Sequence, residues 1–176
     1  MLFRSAGSIG LCILAAAKAM GLRDIVVCAT TDRRLKIARE MGASHTVATR
    51  EQDLMEAMKK IHPGGTDVVI DATGIEECIQ QCLKLAKKGG SVTLAGYGRG
   101  KMMSIRIDDI HVNNLRLIGA GNNWNQHKKA VTLMADGLVD IEHFATDLIK
   151  LEDFEHGLEL ARKRPEGFLK AVYCYE

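Results

Sequence analysis

The sequence has no apolar run approaching the roughly 20 residues that a membrane-spanning helix needs. It does not open with the basic, apolar and small-residue succession of a secretory signal. Cysteine is sparse and odd in number, 5 in 176 residues, without the regular spacing of a disulfide framework. These absences set the expectation of a cytoplasmic protein in a reducing compartment. An excess of one charge is lacking too. The chain has 24 lysines and arginines against 22 acids, a net charge of +2, and the two signs are interleaved. No basic face for nucleic acid is announced, so neither nucleic acid nor membrane is expected as a partner. There is no low-complexity linker and no internal repeat. What is present is an ordinary globular composition, 47% hydrophobic and 26% charged, in a length that buries one good core.

The chain alternates strand-like and helix-like stretches. From Ser8 to Met20, the residues Ile9, Cys12, Ile13, Ala16 and Met20 recur at helical spacing, and Gly21 follows as a C-cap. DIVVCA (24–29) is a short apolar strand. Thr31 or Asp32 caps a helix over RRLKIAREM, with Leu35, Ala38 and Met41 on one face before Gly42. HTVA (45–48) is a short strand, EQDLMEAMKKI (51–61) a polar helix, and Pro63-Gly64-Gly65 a turn. DVVIDAT (67–73) is a buried strand. Ile75, Cys78, Ile79, Cys82, Leu83 and Ala86 form the stripe of a helix closed by Gly89-Gly90, and SVTLAG (91–96) is the next strand. Further strands are expected at 103–107, 115–120 and 168–175, with helices near 124–137 and 151–163. Connections of this length suit right-handed parallel crossovers. The expected fold is α/β, a doubly wound parallel sheet of the Rossmann type in a three-layer αβα sandwich. Its ligand sites lie at the carboxyl ends of the strands.

At the front of this pattern stands MLFRSAGSIG. In a G-x-G-x-x-G loop the glycines let the backbone turn tightly and approach a pyrophosphate, and the following helix offers its N–H groups to the anion. Gly7 and Gly10 fit the second and third glycine positions, and Ser5 stands at the first. Gly7, Ser8, Ile9 and Gly10 are therefore expected to bind the diphosphate of a dinucleotide. If the first position needs positive φ, Ser5 costs on the order of 1 kcal/mol there, weakening phosphate binding without abolishing it. The next check is the end of the second strand, where an acid normally holds the ribose 2′-OH of NAD. The strand ends at Cys28-Ala29 with no acid. Asp32 comes three residues late and reads better as a helix cap. Thr30, Thr31, Arg33 and Arg34 surround it. An acid repels a 2′-phosphate, whereas a small residue with hydroxyls and a guanidinium nearby welcomes one. Ala29, Thr30 and Arg34 thus favour NADP over NAD; the alternative is that Arg33 and Arg34 are simply solvated helix residues.

AGSIGLCILAAAKAMG, RRLKIAREMGASHTV, GGTDVVIDATG, KKGGSVTLAGYG and LIKLEDFEHGLELARKRPEGFLKAVY together resemble the nucleotide-binding half of medium-chain, zinc-type alcohol and polyol dehydrogenases. The likeness runs from about Ala6 to Tyr175, and its closing pattern is closer to the alcohol, sorbitol and threonine dehydrogenase branch than to the zinc-free quinone reductases. The resemblance implies further cofactor contacts. Ala72, Thr73 and Gly74, after Asp71, match the segment beside the adenosine and nicotinamide ribose. Ala95, Gly96 and Tyr97 match the part that reaches the nicotinamide carboxamide. Leu117 and Ile118, with Gly119, lie near the nicotinamide, and Lys170 falls where a basic residue often stands near the cofactor phosphates. Asp71 is alternatively a cap for the next helix, and Lys170 an exposed strand residue. The resemblance implies hydride transfer between the nicotinamide and a small-molecule secondary alcohol or ketone. Catalytic zinc, its ligands and the proton relay are expected only in an N-terminal domain that precedes this part of such enzymes. This chain is expected to supply neither catalytic nor metal residues and to be inactive alone.

Aligned on the glycines, residues 1–4 occupy a first strand that should be covered on both sides, and Arg4 conflicts with that position. Leu2-Phe3-Arg4-Ser5 is also one translation of a common sequencing-adapter end. Residues 1–5 are thus expected to be a non-native leader before a truncated first strand, with 6–176 the dinucleotide-binding domain. Cys78 and Cys82 stand at i, i+4, but they share an apolar stripe and read as core thiols rather than metal ligands. The six histidines (45, 62, 111, 127, 143, 156) show no i, i+4 pair. In 101–108, Met103, Ile105 and Ile107 alternate with Ser104, Arg106 and Asp108, an edge strand through which a homo-oligomer is expected to pair. One rival reading is a non-catalytic NAD(P)-sensing module; a second, a methyltransferase using the same fold, is opposed by the missing acid at the second strand and by the two-glycine helix start.

Overall fold

The structure, a computed structural model, describes residues 1–121, 124–139, 144–165 and 168–175. His143 lies outside them. Two compact units follow one another along the chain, Met1–His127 and Lys128–Glu176. The first holds a six-stranded, all-parallel sheet built from β1 (Leu2–Arg4), β2 (Val26–Ala29), β3 (His45–Ala48), β4 (Thr66–Asp71), β5 (Ala86–Leu94) and β6 (Arg116–Gly119). Their order is β3-β2-β1-β4-β5-β6. Order reverses at β1, so the crevice outside the carboxyl ends of β1, β2 and β4 is the topological switch point. The doubly wound Rossmann-type expectation holds.

Apolar residues set the register. Leu2 pairs with both Val26 and Val69, and Val69 with Val92. All four are fully buried and form a row across the sheet. Leu54 and Met58 of α3 (Leu54–Ile61) and Cys82 and Leu83 of α4 (Glu76–Leu85) cover this row. Asp53 caps α3 by accepting the Glu56 N–H at 2.9 Å. The helix α1 (Ser8–Ala19) buries Gly10, Leu11, Leu14, Ala15 and Ala17. This corrects the expected stripe: Ile9, Cys12 and Met20 are exposed. The helix is apolar nearly all round, so periodicity alone does not choose its buried face. In α2 (Asp32–Glu40), Leu35 and Ala38 are buried as expected.

Three other expectations are corrected. Asp32 does not cap α2: Thr31 holds the N-cap position, and the Asp32 carboxylate pairs with Arg39 at 2.8 Å. Gly89-Gly90 does not close α4, which ends at Leu85. The pair lies inside β5, where the register shifts between Thr66 and Val68 of β4. Gly89 there has φ +76°, and a Cβ on Gly90 would crowd the Lys87 and Asp67 carbonyls. Finally, 103–107 is not a strand. Residues 101–106 have no regular structure and α5 (Ile107–Val112) follows, so the edge of the sheet is β6. The apolar spacing of Ile105 and Ile110 serves packing against the core instead.

In the second unit, β7 (Asp147–Lys150) pairs in parallel with β8 (Ala171–Cys174), and the connection carries α7 (Phe154–Lys163). The closing strand thus belongs to its own two-stranded sheet. Gly157 allows Tyr173 to cross α7, where the Tyr173 hydroxyl donates to the Phe154 carbonyl at 2.8 Å. The helix α6 (His127–Ala135) buries no side chain. Among the described residues no helix is long and apolar enough to cross a membrane.

Candidate functional site: a crevice at the carboxyl ends of the central strands

The chain leaves β1 through a strained residue. Ser5 has φ +101°, in a region that L-residues rarely occupy, so the first loop position does require positive φ. Its N–H continues the pairing with β2, donating to the Cys28 carbonyl at 3.0 Å. Its Oγ accepts the Gly7 N–H at 3.2 Å. Gly7 is the N-cap of α1 in an extended conformation, and no side chain caps the helix. α2, α3, α4 and α5 each carry an acid in the first turn; α1 carries none. The positive end of the α1 dipole is therefore left without a local counter-charge. Gly10 is required by a close approach: a Cβ there would fall on the Ser5 carbonyl oxygen. The helix start is thus pressed against the strand end, as a backbone phosphate cradle demands.

Beside this loop opens a cavity of about 310 Å³, lined by Arg4, Ser5, Cys28, Ala29, Thr30, Arg34, Thr49, Ala72, Thr73, Ile75 and Cys78. Five of the residues expected to hold the cofactor meet there, Ala29, Thr30, Arg34, Ala72 and Thr73, whereas Gly7, Ser8, Ile9, Gly10 and Gly74 are not part of its lining. Arg33 is exposed while Arg34 is half-buried in the wall, so the two arginines are not equivalent. Ala29, at the end of β2, is 6% exposed. Thr49 was not anticipated. It follows β3, adjacent to β2, and its hydroxyl donates to the Ala29 carbonyl at 3.3 Å. The signal for it was the strand order, which places the ends of β2 and β3 side by side. Burial pushes the Cys28 thiol up to about 12, against a smaller opposing pull from Arg4, so it stands neutral in the wall. The same desolvation raises Cys82, which is buried in the core.

Arg4 sits at the strand's end, half-buried, while Leu2 and Phe3 are completely covered. Its Nη2 donates to Cys78 Sγ at 3.0 Å, but its Nε is buried without a partner. An unsatisfied guanidinium nitrogen costs about 1–3 kcal/mol. Arg4→Leu is accordingly expected to stabilise the protein by about 1 kcal/mol, some 2–4 °C in Tm. Thermal unfolding followed by circular dichroism checks this, and a lower Tm would show that the guanidinium is better satisfied than its neighbours imply.

The turns after β4 and β5 form the far side. Asp71 is fully buried. Its Oδ1 accepts Thr73 N–H at 3.1 Å and the Thr73 hydroxyl at 2.6 Å, and its Oδ2 accepts Gly74 N–H at 2.9 Å. It organises this turn rather than capping α4, whose N-cap is Ile75. The Asp71 carbonyl accepts the N–H groups of Ala95 and Gly96 at 2.8 and 3.0 Å. Gly74, at φ +66°, lies against the Tyr97 backbone so closely that a Cβ would overlap it. Gly96 lies as closely against Gly74 and Thr73. Ala95, Gly96 and Tyr97 are thus locked to the Thr73-Gly74 turn. Leu117 and Ile118 lie in edge strand β6 and are partly exposed, 38% and 45%. Lys170 precedes β8 in the second unit, exposed, with its backbone N–H donated to Thr146 Oγ1 at 3.2 Å.

Known proteins resemble this chain along most of its length. Sorbitol dehydrogenase of Bacillus subtilis is 31% identical over 167 residues, 94% of this chain and 47% of that protein. L-threonine 3-dehydrogenase of Bacillus velezensis is 32% identical over 160 residues, 89% of this chain and 46% of that protein. The chain spans about half the length of the curated relatives it matches. A solved protein of Sinorhizobium meliloti, described as a zinc-binding dehydrogenase and bound to NADP, is similar with a TM-score of 0.80. It is 28% identical and covers 88% of this chain and 46% of its own. An alcohol dehydrogenase of Escherichia coli complexed with NADH has the same fold, with a TM-score of 0.92 at 20% identity over 99% of this chain and 51% of its own. The model of one family, described as zinc-binding dehydrogenase, matches residues 8–136, and the chain belongs to that family.

Proposed function

We propose that this chain is the cofactor-binding portion of an NAD(P)-dependent, zinc-type alcohol or polyol dehydrogenase, and that it favours NADP. The observation that carries the reading is the crevice at the topological switch point. It joins an uncapped helix start, pressed onto its loop by Gly10, to a pocket that holds a guanidinium and hydroxyls where an acid would select NAD. In this reading the Gly7–Gly10 loop, with Ser8 and Ile9, holds the diphosphate. Ala29, Thr30 and Arg34 hold the adenosine ribose and its 2′-phosphate. Ala72, Thr73 and Gly74 support the ribose moieties, and Ala95, Gly96, Tyr97, Leu117 and Ile118 seat the nicotinamide. When bound, the cofactor supplies or accepts the hydride at the carbon of a secondary alcohol or ketone. In this reading the zinc that polarises the oxygen is not held by the residues named here.

Titration with NADPH and NADH, followed by nicotinamide fluorescence, tests the reading. Both are expected to bind, NADPH the tighter. NADH bound about tenfold tighter, a difference near 1.4 kcal/mol, would overturn the NADP assignment, and binding of neither would remove the function.

A further inference from the structure

We infer that Asp71 is a positioning residue that makes the two ends of the dinucleotide seat one mechanical unit, so that filling the adenosine end sets the backbone at the nicotinamide end. This rests on the cofactor reading above.

Five hydrogen bonds converge on one buried residue. The carboxylate of Asp71 accepts three hydrogen bonds, all from the next turn: Thr73 N–H, Thr73 Oγ1–H and Gly74 N–H. Its carbonyl accepts two more from the turn after β5, the N–H groups of Ala95 and Gly96. Carboxylate acceptors of this kind make stronger bonds than neutral ones, and no water competes at a residue with 0% exposure. Thr73 passes the constraint on, because its hydroxyl also accepts the Ile75 N–H at 3.1 Å. Thr73 and Ile75 both line the adenosine-side pocket.

The second element is contact without slack. Gly74 and Gly96 let the two turns touch backbone to backbone, with no room for a Cβ on either side. A turn held this way cannot shift without moving its neighbour, since close-packed backbone transmits displacement instead of absorbing it. A ligand that orders Thr73 therefore acts on Gly74, and through Gly74 on Gly96 and Tyr97. Such coupling is worth about 5- to 150-fold in affinity where it has been measured in proteins.

The test uses 5′-AMP, which fills only the adenosine end, and amide resonances of the isotopically labelled chain. In the unmodified protein, 5′-AMP is expected to move the amides of Ala29, Thr30 and Thr73 and also those of Gly96 and Tyr97. Asp71→Asn is isosteric but turns a donor toward the backbone N–H groups. In it the response at Gly96 and Tyr97 should vanish while that at Thr30 persists, and affinity for NADPH should fall about tenfold. Thr73→Val, which removes the hydroxyl and leaves the carboxylate, should weaken the distant response, and Thr73→Ser should restore it; this pair carries the test if Asp71→Asn does not fold. A response at Gly96 and Tyr97 that is absent in the unmodified protein, or unchanged in both Asp71→Asn and Thr73→Val, overturns the inference alone. No response at any of these amides overturns the cofactor reading and this inference together.

Discussion

Gly10→Ala is expected to destabilise the first unit and to abolish measurable dinucleotide binding. Two effects compete. Alanine is favoured over glycine inside a helix by about 1 kcal/mol, which would stabilise α1. Against this, the new methyl falls on the carbonyl oxygen of Ser5. Overpacking a tight site costs about 1–3 kcal/mol and occasionally more, and here the obstacle is backbone. Ser5 cannot withdraw easily, because its N–H is bonded to the Cys28 carbonyl and the two residues that open β1 are fully covered. The steric term wins, and α1 must move away from the strand end, taking its N–H groups out of line with the phosphates. Thermal unfolding by circular dichroism together with an NADPH titration measures both consequences. An unchanged or higher Tm with binding intact would show that the helix start is not held against Ser5.

Ala29→Asp should invert the cofactor preference. Ala29 is almost buried at the end of β2, beside Thr30 and Arg34 in the pocket wall. A carboxylate there accepts hydrogen bonds from unmodified ribose hydroxyls and repels a 2′-phosphate, and it competes for Arg34. A loss of one charge-assisted contact for NADPH and a gain of one for NADH, each about 1.5–3 kcal/mol, moves the ratio of dissociation constants by about 100-fold or more. Parallel titrations with the two cofactors read that ratio directly. A ratio that stays put would mean that position 29 does not face the ribose.

Much of this architecture was legible because it rests on short-range physics. Strands such as HTVA and the core of DVVIDAT stand out as apolar runs between turn signals, and the structure returns them nearly residue for residue. Positive φ at Ser5 entered the sequence reading as a condition of the tight turn, and the structure meets that condition. The failures have equally definite causes. The buried face of α1 departs from the expected one because alanines and leucines surround the helix, leaving no polar face to orient it. The alternation in 103–107 imitated a strand, yet its apolar members pack from irregular chain and a short helix. The diglycine after α4 looked like a helix stop but works as an irregularity within β5. Thr49 and the double role of Asp71 escaped because both depend on which strand ends are neighbours, and that is a property of the sheet order. The lack of an acid at the end of β2 was visible in the residues, as was the choice of Arg34, which the structure puts in the pocket wall while Arg33 is exposed.

The three-residue β1 has a consequence for how the molecule yields. It is the sole link between the β2–β3 pair and the β4–β5–β6 trio within the sheet, and on each side it supplies just three residue pairs. The six strands therefore carry a seam down their middle, narrower than the rows on either flank. Slipping that one short segment would separate the sheet into two halves, leave β2 and β4 with unpaired edges open to a neighbouring chain, and pull apart the two walls of the crevice in a single event.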